Sequence, residues 1–146
     1  MLDYKEFCSL LPADKDCINF YIRYNYRSVL ACSKCGSHSI HPRNDHPKVL
    51  QCKSCKSQVS ILSGTLFEKS STDLNKWLYA IYKYFRSKKK LSATELQSEI
   101  CVTYKTAWRI LNKVKHIRQN EKISLDFLRA IVNITSRYCA ESNESL

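Results

Sequence analysis

No stretch of this chain approaches the roughly 18 uninterrupted apolar residues that a membrane-spanning helix requires. The first residues carry charge at Asp3, Lys5 and Glu6, where a secretory leader needs an apolar run. With neither span nor leader, the expectation is a cytoplasmic or nucleoid-associated protein in a reducing compartment, where cysteines do not pair into disulfides by default. Glycine is scarce, two in 146 residues, so a tight turn such as the one at Lys56 falls to a residue with a Cβ. Acidic residues are also in short supply, 13 against 24 Lys and Arg. No internal repeat or low-complexity tract stands out. What the chain has is ample apolar content, 44% with 11% aromatics, enough for a packed core.

The net charge of +11 is unevenly spread. Residues 27–69 come to +5 and residues 86–118 to +7, while the first 26 and the last 28 residues are each slightly acidic. Positive charge confined to two neighbouring segments is the pattern of a polyanion-binding surface.

The strongest chemical signal is Cys32-Ser-Lys-Cys35, sixteen residues, then Cys52-Lys-Ser-Cys55. Each C-x2-C turn presents two thiolates to one ion, and a second knuckle closes a tetrahedron. Four thiolates leave no open coordination position, so the expected cofactor is one structural zinc ion and not a catalytic one. Paired disulfides are the competing use, and nothing in the chain suggests an oxidising compartment. His38, His41 and His46 lie between the knuckles. With the shell complete they are read as loop surface, near phosphate alongside Arg43 and Lys48. The other cysteines, Cys8, Cys17, Cys101 and Cys139, read as reduced thiols, most of them small core residues.

Taken in order, residues 13–24 read as a short cap helix, with Pro12 at its start and Cys17, Phe20, Tyr21 and Tyr24 on one face as core. Val29–Ala31, Val49–Gln51 and Gln58–Leu62 read as strands alternating with the knuckles, the build of a zinc ribbon. Gly36 supplies the positive φ after the first knuckle; Lys56 holds the equivalent place after the second, with mild strain. Ser63-Gly64-Thr65 is a turn. Thr72 is expected to cap a helix to Ser87, with Leu74, Trp77, Leu78, Ile81 and Phe85 inward and Lys76 and Lys83 on a wet back.

Ser92-Ala-Thr-Glu95 is a capping box opening a short helix with Ala93, Leu96 and Ile100 inward. After a turn at Cys101-Val102, Thr103 caps a helix to about Arg118. Its apolar side is Ala107, Ile110, Leu111, Val114 and Ile117, and its other side Lys105, Arg109, Asn112, Lys113 and His116. A two-helix unit with a basic outer face is the helix-turn-helix pattern. Tyr104, Lys105, Thr106, Arg109 and His116 are candidate DNA contacts on that helix. Lys113 and the run Lys88-Lys89-Lys90 suit the phosphate backbone. Residues 124–139 read as a last helix capped by Ser124, and 141–146 as a polar tail.

The fold class expected is therefore α+β: a small zinc ribbon of short antiparallel strands (27–69) joined to an all-α helix-turn-helix domain (70–118). A cap helix (1–26) precedes them, and a terminal helix and tail (119–146) follow. The run from Cys32 to Lys115 resembles the N-terminal DNA-binding region of Merlin-like insertion-sequence transposases of the DDE type. The matching pieces are Cys32-x2-Cys35-Gly36, Cys52-x2-Cys55, Ser63-Gly-Thr-Leu-Phe67, Leu74-x2-Trp77-Leu-x-Ala-Ile81, Ser87-Lys-Lys89, Leu91-Ser-Ala93 and Tyr104-Lys-Thr-Ala-Trp108. Lys56, Lys90 and Cys101 stand where that family tends to have glycine. The resemblance implies recognition of double-stranded DNA at terminal inverted repeats, with a full-length transposase or a second copy as protein partner, and no membrane or small-molecule substrate.

Such transposases continue into a catalytic domain whose acidic residues hold two magnesium ions. Glu121, Asp126, Glu141 and Glu144 do not supply that set. The expectation is a non-enzymatic, truncated or domesticated targeting region. The rival reading is a transcription-associated zinc ribbon acting through protein contacts; ribbons that enter a polymerase active centre need acidic residues at a hairpin tip, and Lys56–Ile61 has none.

Overall fold

In the computed structural model the described residues are 1–26, 30–46, 48–59, 62–68 and 70–134. Among them, six α-helices and one small sheet form an α+β fold. Among the described residues no helix is long and apolar enough to cross a membrane.

The chain opens on a helix the sequence reading missed, α1, Tyr4–Leu10. Its N-terminus is a complete capping box: the Asp3 carboxylate accepts from the Glu6 amide at 2.8 Å, and the Asp3 amide donates back to Glu6 at 3.0 Å. α2 spans Asp14–Tyr21 and passes into a wide π-helical turn, Ile22–Tyr26, so the helix expected to run to residue 24 changes its hydrogen bonding three residues earlier. Its first residue is Asp14, one residue beyond the Ala13 cap, not the residue after Pro12. The aromatics here are core, as their spacing indicated: Phe20 and Tyr21 are buried, and Tyr21 meets Phe127 edge-on at 5.1 Å.

β1 is Ile40–Pro42, β2 Leu50–Cys52 and β3 Gln58–Val59, antiparallel in the order β1-β2-β3. The first strand thus follows the first knuckle instead of preceding it. Leu30 and Ala31 are not in a strand; the Leu30 carbonyl accepts from the His38 ring at 2.9 Å, in the turn around the first knuckle. Ile40 instead pairs with Cys52 and Pro42 with Leu50. β1 is an edge strand, the one place in a sheet where Pro42 costs no ladder bond. Val29, Ser60 and Ile61 from the expected strands lie outside the described residues. So does everything from residue 135, including Cys139, the end of the expected last helix, and the tail.

α3, Leu74–Arg86, is the central helix. It has no wet back: Leu74, Asn75 and every residue from Trp77 to Tyr82 are buried, and Lys76 is half-buried. The reason is α1, whose Phe7 packs on Tyr79 and Tyr82, and whose Tyr4 hydroxyl donates to Asn75. Nor does Thr72 cap α3. Asp73 occupies the cap position without a side-chain bond, and the Leu74 amide donates instead to the Asp14 carboxylate at 2.9 Å, sixty residues back in the chain. A carboxylate there also favours the positive end of the helix dipole.

α4, Ala93–Ile100, and α5, Tyr104–Lys115, follow with side-chain caps from Ser92 and Thr103. Of the expected capping box at Ser92, the serine half is made. α5 stops at Lys115, three residues short of expectation. Ile117–Gln119 tightens into a 3-10 turn that keeps Ile117 buried. α6, Leu125–Val132, is capped by Ser124 and lies against α3.

One continuous core runs from Phe7 through Leu50, Trp77, Leu96 and Leu111 to Ile134. The N-terminal helices are therefore packed with the later helices, and the strand residue Leu50, fully buried, joins the ribbon to the same core.

Candidate metal centre and basic helix face

The two knuckles are built alike. The Cys32 amide donates to the Ser37 carbonyl at 2.8 Å and the Cys52 amide to Ser57 at 2.9 Å. The residue after each knuckle, Gly36 or Lys56, then donates back to the first cysteine's carbonyl. Both turns need the left-handed region: φ is +74° at Gly36 and +66° at Lys56. A lysine there costs about 1 kcal/mol that glycine does not. Cys101, in the turn between α4 and α5, sits at φ +55°, the other non-glycine residue in this region among those described.

The four sulfurs converge. All lie within 4.8 Å of one another, with Cys32–Cys55 and Cys35–Cys52 at 3.6 Å across the knuckles. Sulfurs tetrahedrally disposed around an ion at about 2.3 Å stand about 3.8 Å apart, so the cluster fits one metal ion. None of the four is in a disulfide. Cys32 and Cys52 are buried while Cys35 and Cys55 face outward. The hydroxyl and backbone of Ser57 lower the Cys55 thiol to about 6, ready to ligate as thiolate. Against the lowering pull of the Ser37 backbone, the Cys35 thiol is raised to about 12 by its hydrogen bond with Cys52. Neighbouring thiolates repel without a cation between them, which makes metal binding and proton release one event.

None of the three histidines belongs to the cluster. His38 binds the Leu30 carbonyl, His46 is exposed, and His41 lies in β1 with its buried Nδ1 unpartnered among the described residues. Of the remaining cysteines Cys17 is buried, with its thiol pushed up by desolvation; Cys8 is half-buried and Cys101 exposed. Among the described residues the reading of these thiols as mostly core holds only for Cys17.

The ribbon's two candidate cations are already engaged. Arg43 makes a bidentate pair with Asp45 at 3.1 and 2.6 Å. Lys48 donates to the Ser70 and Thr72 carbonyls at 2.9 and 3.1 Å, pinning the ribbon to the segment that leads into α3.

On α5 the cations are mostly outward. Lys105, Arg109 and Lys113 stand at four-residue spacing and form one exposed row; Tyr104, Trp108, Asn112 and His116 form the next. Lys113 also lies 5.8 Å from the centre of the buried Trp77 ring. Thr106 is half-buried, its hydroxyl bonded to Thr103 within the cap. His116 binds back to the Asn112 carbonyl. Lys88, Lys89 and Lys90 are all exposed in the link from α3 to α4. Among the described residues, Lys88, Lys89, Lys90, Lys105 and Arg109 make no ion pair, whereas Lys83 pairs with Glu99.

Trp108, part of the Tyr104–Trp108 motif, lies on the surface. It is 55% exposed, and Tyr104 52%. The signal was available, because position 108 falls off the stripe 107, 110, 111, 114, 117 and onto the charged side. Comparison of the chain with protein-family models, with curated proteins and with solved structures finds no match.

Proposed function

We propose that this chain is a DNA-binding protein, organised like the targeting region of the insertion-sequence transposases it resembles: a zinc ribbon supporting a helix-turn-helix whose recognition helix is α5. The observation that carries the reading is the outer face of α5. Lys105 and Arg109 are exposed there, in one row with Lys113, and have no acidic partner among the described residues. An unneutralised cationic row on a helix whose opposite side is fully packed suits the major groove, where arginine pairs with guanine edges and lysine with phosphate.

The ion in the cysteine cluster is zinc on this reading. An all-thiolate tetrahedral set favours zinc, or iron in the same geometry, and closes the shell to substrates. Its role is to hold the knuckles and, through them, Leu50 and Lys48 against the helices. Metal analysis of the purified chain, with cobalt substitution to report tetrahedral thiolate coordination, tests the assignment; iron or no metal counts against it.

Selection from a random duplex pool, followed by titration of the selected duplex and a scrambled one across salt, tests recognition. The expected result is an enriched motif with a log–log salt slope of about −4 to −6, for some four to seven phosphate contacts. Replacing Arg109 with alanine should cost about 1–3 kcal/mol on the selected duplex and little on the scrambled one. Equal affinity for both duplexes at every salt concentration would refute sequence-specific recognition.

A further inference from the structure

Two large rings stand among the cations of α5. Tyr104 and Trp108 are each about half exposed. Neither is within ring contact of another aromatic residue among those described, in contrast to the linked aromatics of the core. Folding has left about half of each of these two residues open to solvent. They are one helical turn apart, a rise of about 6 Å, and a single nucleotide stack advances about 3.4 Å. A base with a ring on either side takes two such steps, about 6.8 Å, a little more than the rise between the two residues, so side chains one turn apart can flank a single base.

The flanking chemistry selects among occupants. Lys105 lies between the two rings in sequence and Arg109 follows the second, both exposed. A second copy of the chain would bring the same cations against them, and the chain carries +11. A polyanion is complementary. In an intact duplex each base has both faces covered by its neighbours, so a ring can reach only base edges. Where bases are unpaired, their faces are available to stack, and the sugar-phosphate backbone stays within reach of lysine and arginine.

We infer that α5 carries a base-stacking site, formed by Tyr104 and Trp108 with Lys105 on the backbone, that takes DNA with unpaired bases in preference to continuous duplex. This rests on the DNA-binding reading and narrows it to a substrate class: duplex that is opened, gapped or mismatched at the point where α5 docks.

The test uses the full metal-loaded chain and two labelled DNAs of equal length and charge, a duplex and the same duplex with a short central bubble of unpaired thymines. Anisotropy titration should give about tenfold tighter binding to the bubble. Trp108→Ala should abolish that preference while leaving duplex affinity within about twofold, and Trp108→Phe should retain most of it. Lys105→Ala should weaken both DNAs alike. Trp77 is buried at 2% exposure, so acrylamide quenching reports mainly on Trp108, and the bubble should shield it. Equal binding of duplex and bubble, or a preference untouched by Trp108→Ala, overturns the stacking site and leaves the DNA-binding reading intact. Failure to bind either DNA overturns both. Concentration-dependent dimerisation that Trp108→Ala abolishes, without any bubble preference, would assign the rings to self-association and also overturn it.

Discussion

On the zinc reading, replacing Cys52 with serine, or stripping the metal with a chelator, removes the ion that closes the two knuckles. Structural zinc supplies on the order of 10 kcal/mol to a small site, and the ribbon has little else: of its strand residues outside the metal site, only Pro42 and Leu50 are buried. The ribbon should therefore melt. What the helices lose can be worked from two attachments made by the β2 region, with the exit segment from Ser63 to Phe67 staying packed on the helices. Leu50 is 1% exposed in the shared core, and returning a buried leucine to water costs about 2–3 kcal/mol. The two bonds from the half-buried Lys48 to Ser70 and Thr72 add about 1–2 kcal/mol together.

The helical unit should thus be destabilised by about 3–5 kcal/mol, lowering its melting temperature by on the order of 20 °C while leaving it folded at room temperature. Far-UV circular dichroism gives the retained helicity, and a thermal melt followed by Trp77 fluorescence gives the shift. Leu50→Ala with metal bound should reproduce about half of it. Helicity that vanishes together with the metal would show a single cooperative unit, and an unchanged melting temperature would show no coupling; either result refutes the reasoning.

Asp14→Ala should destabilise the protein by about 1–2 kcal/mol, read by urea denaturation, because it uncaps α3 from a distance without touching that helix's sequence. Glu99 braces α3 to α4 by accepting from the Tyr79 hydroxyl at 2.8 Å and pairing with Lys83. Glu99→Gln keeps an acceptor and should cost under about 1 kcal/mol, whereas Glu99→Ala leaves the buried tyrosine unpartnered at about 1–3 kcal/mol; similar losses in both would show the hydrogen bond to be unimportant. Lys56→Gly relieves the left-handed turn after the second knuckle and should tighten metal binding slightly, by about 0.5 kcal/mol after glycine's own entropy cost. Gly36→Ala at the matching turn should loosen it by about 1 kcal/mol although nothing lies within 4 Å of the added Cβ; competition with a metal indicator measures both.

Gly64 links the ribbon's exit to the loop before α6. Its carbonyl accepts from Asn120, the Ser63 carbonyl accepts from Lys122 at 2.6 Å, and an added Cβ would stand 2.9 Å from the Lys122 ammonium. The turn at Ser63-Gly64-Thr65 is thus readable in the chain, but its partner loop sixty residues on is not. Similarly, Asn25 in the π-helical turn binds the Lys122 carbonyl and accepts from the Ser124 amide, tying the N-terminal segment to the start of α6. No local pattern at Asn25 announces that.

What the sequence determined by itself is what short-range rules govern. Two C-x2-C turns bring their thiolates together because a knuckle is set by its own four or five residues. Ser92, Thr103 and Ser124 start their helices because a cap acts within three residues, and the stripe Ala107, Ile110, Leu111, Val114 puts α5 with its cations outward because the helical period is local. α1 is legible by the same rule, in the capping pair Asp3 and Glu6. The tertiary structure alone decided that Asp14 caps α3, that Lys48 serves as a strut, that α3 is buried on every side from Trp77 to Tyr82, and that the first strand follows its knuckle. Each of these depends on which distant group arrives to satisfy a donor or cover an apolar face, and no spacing along the chain encodes that arrival.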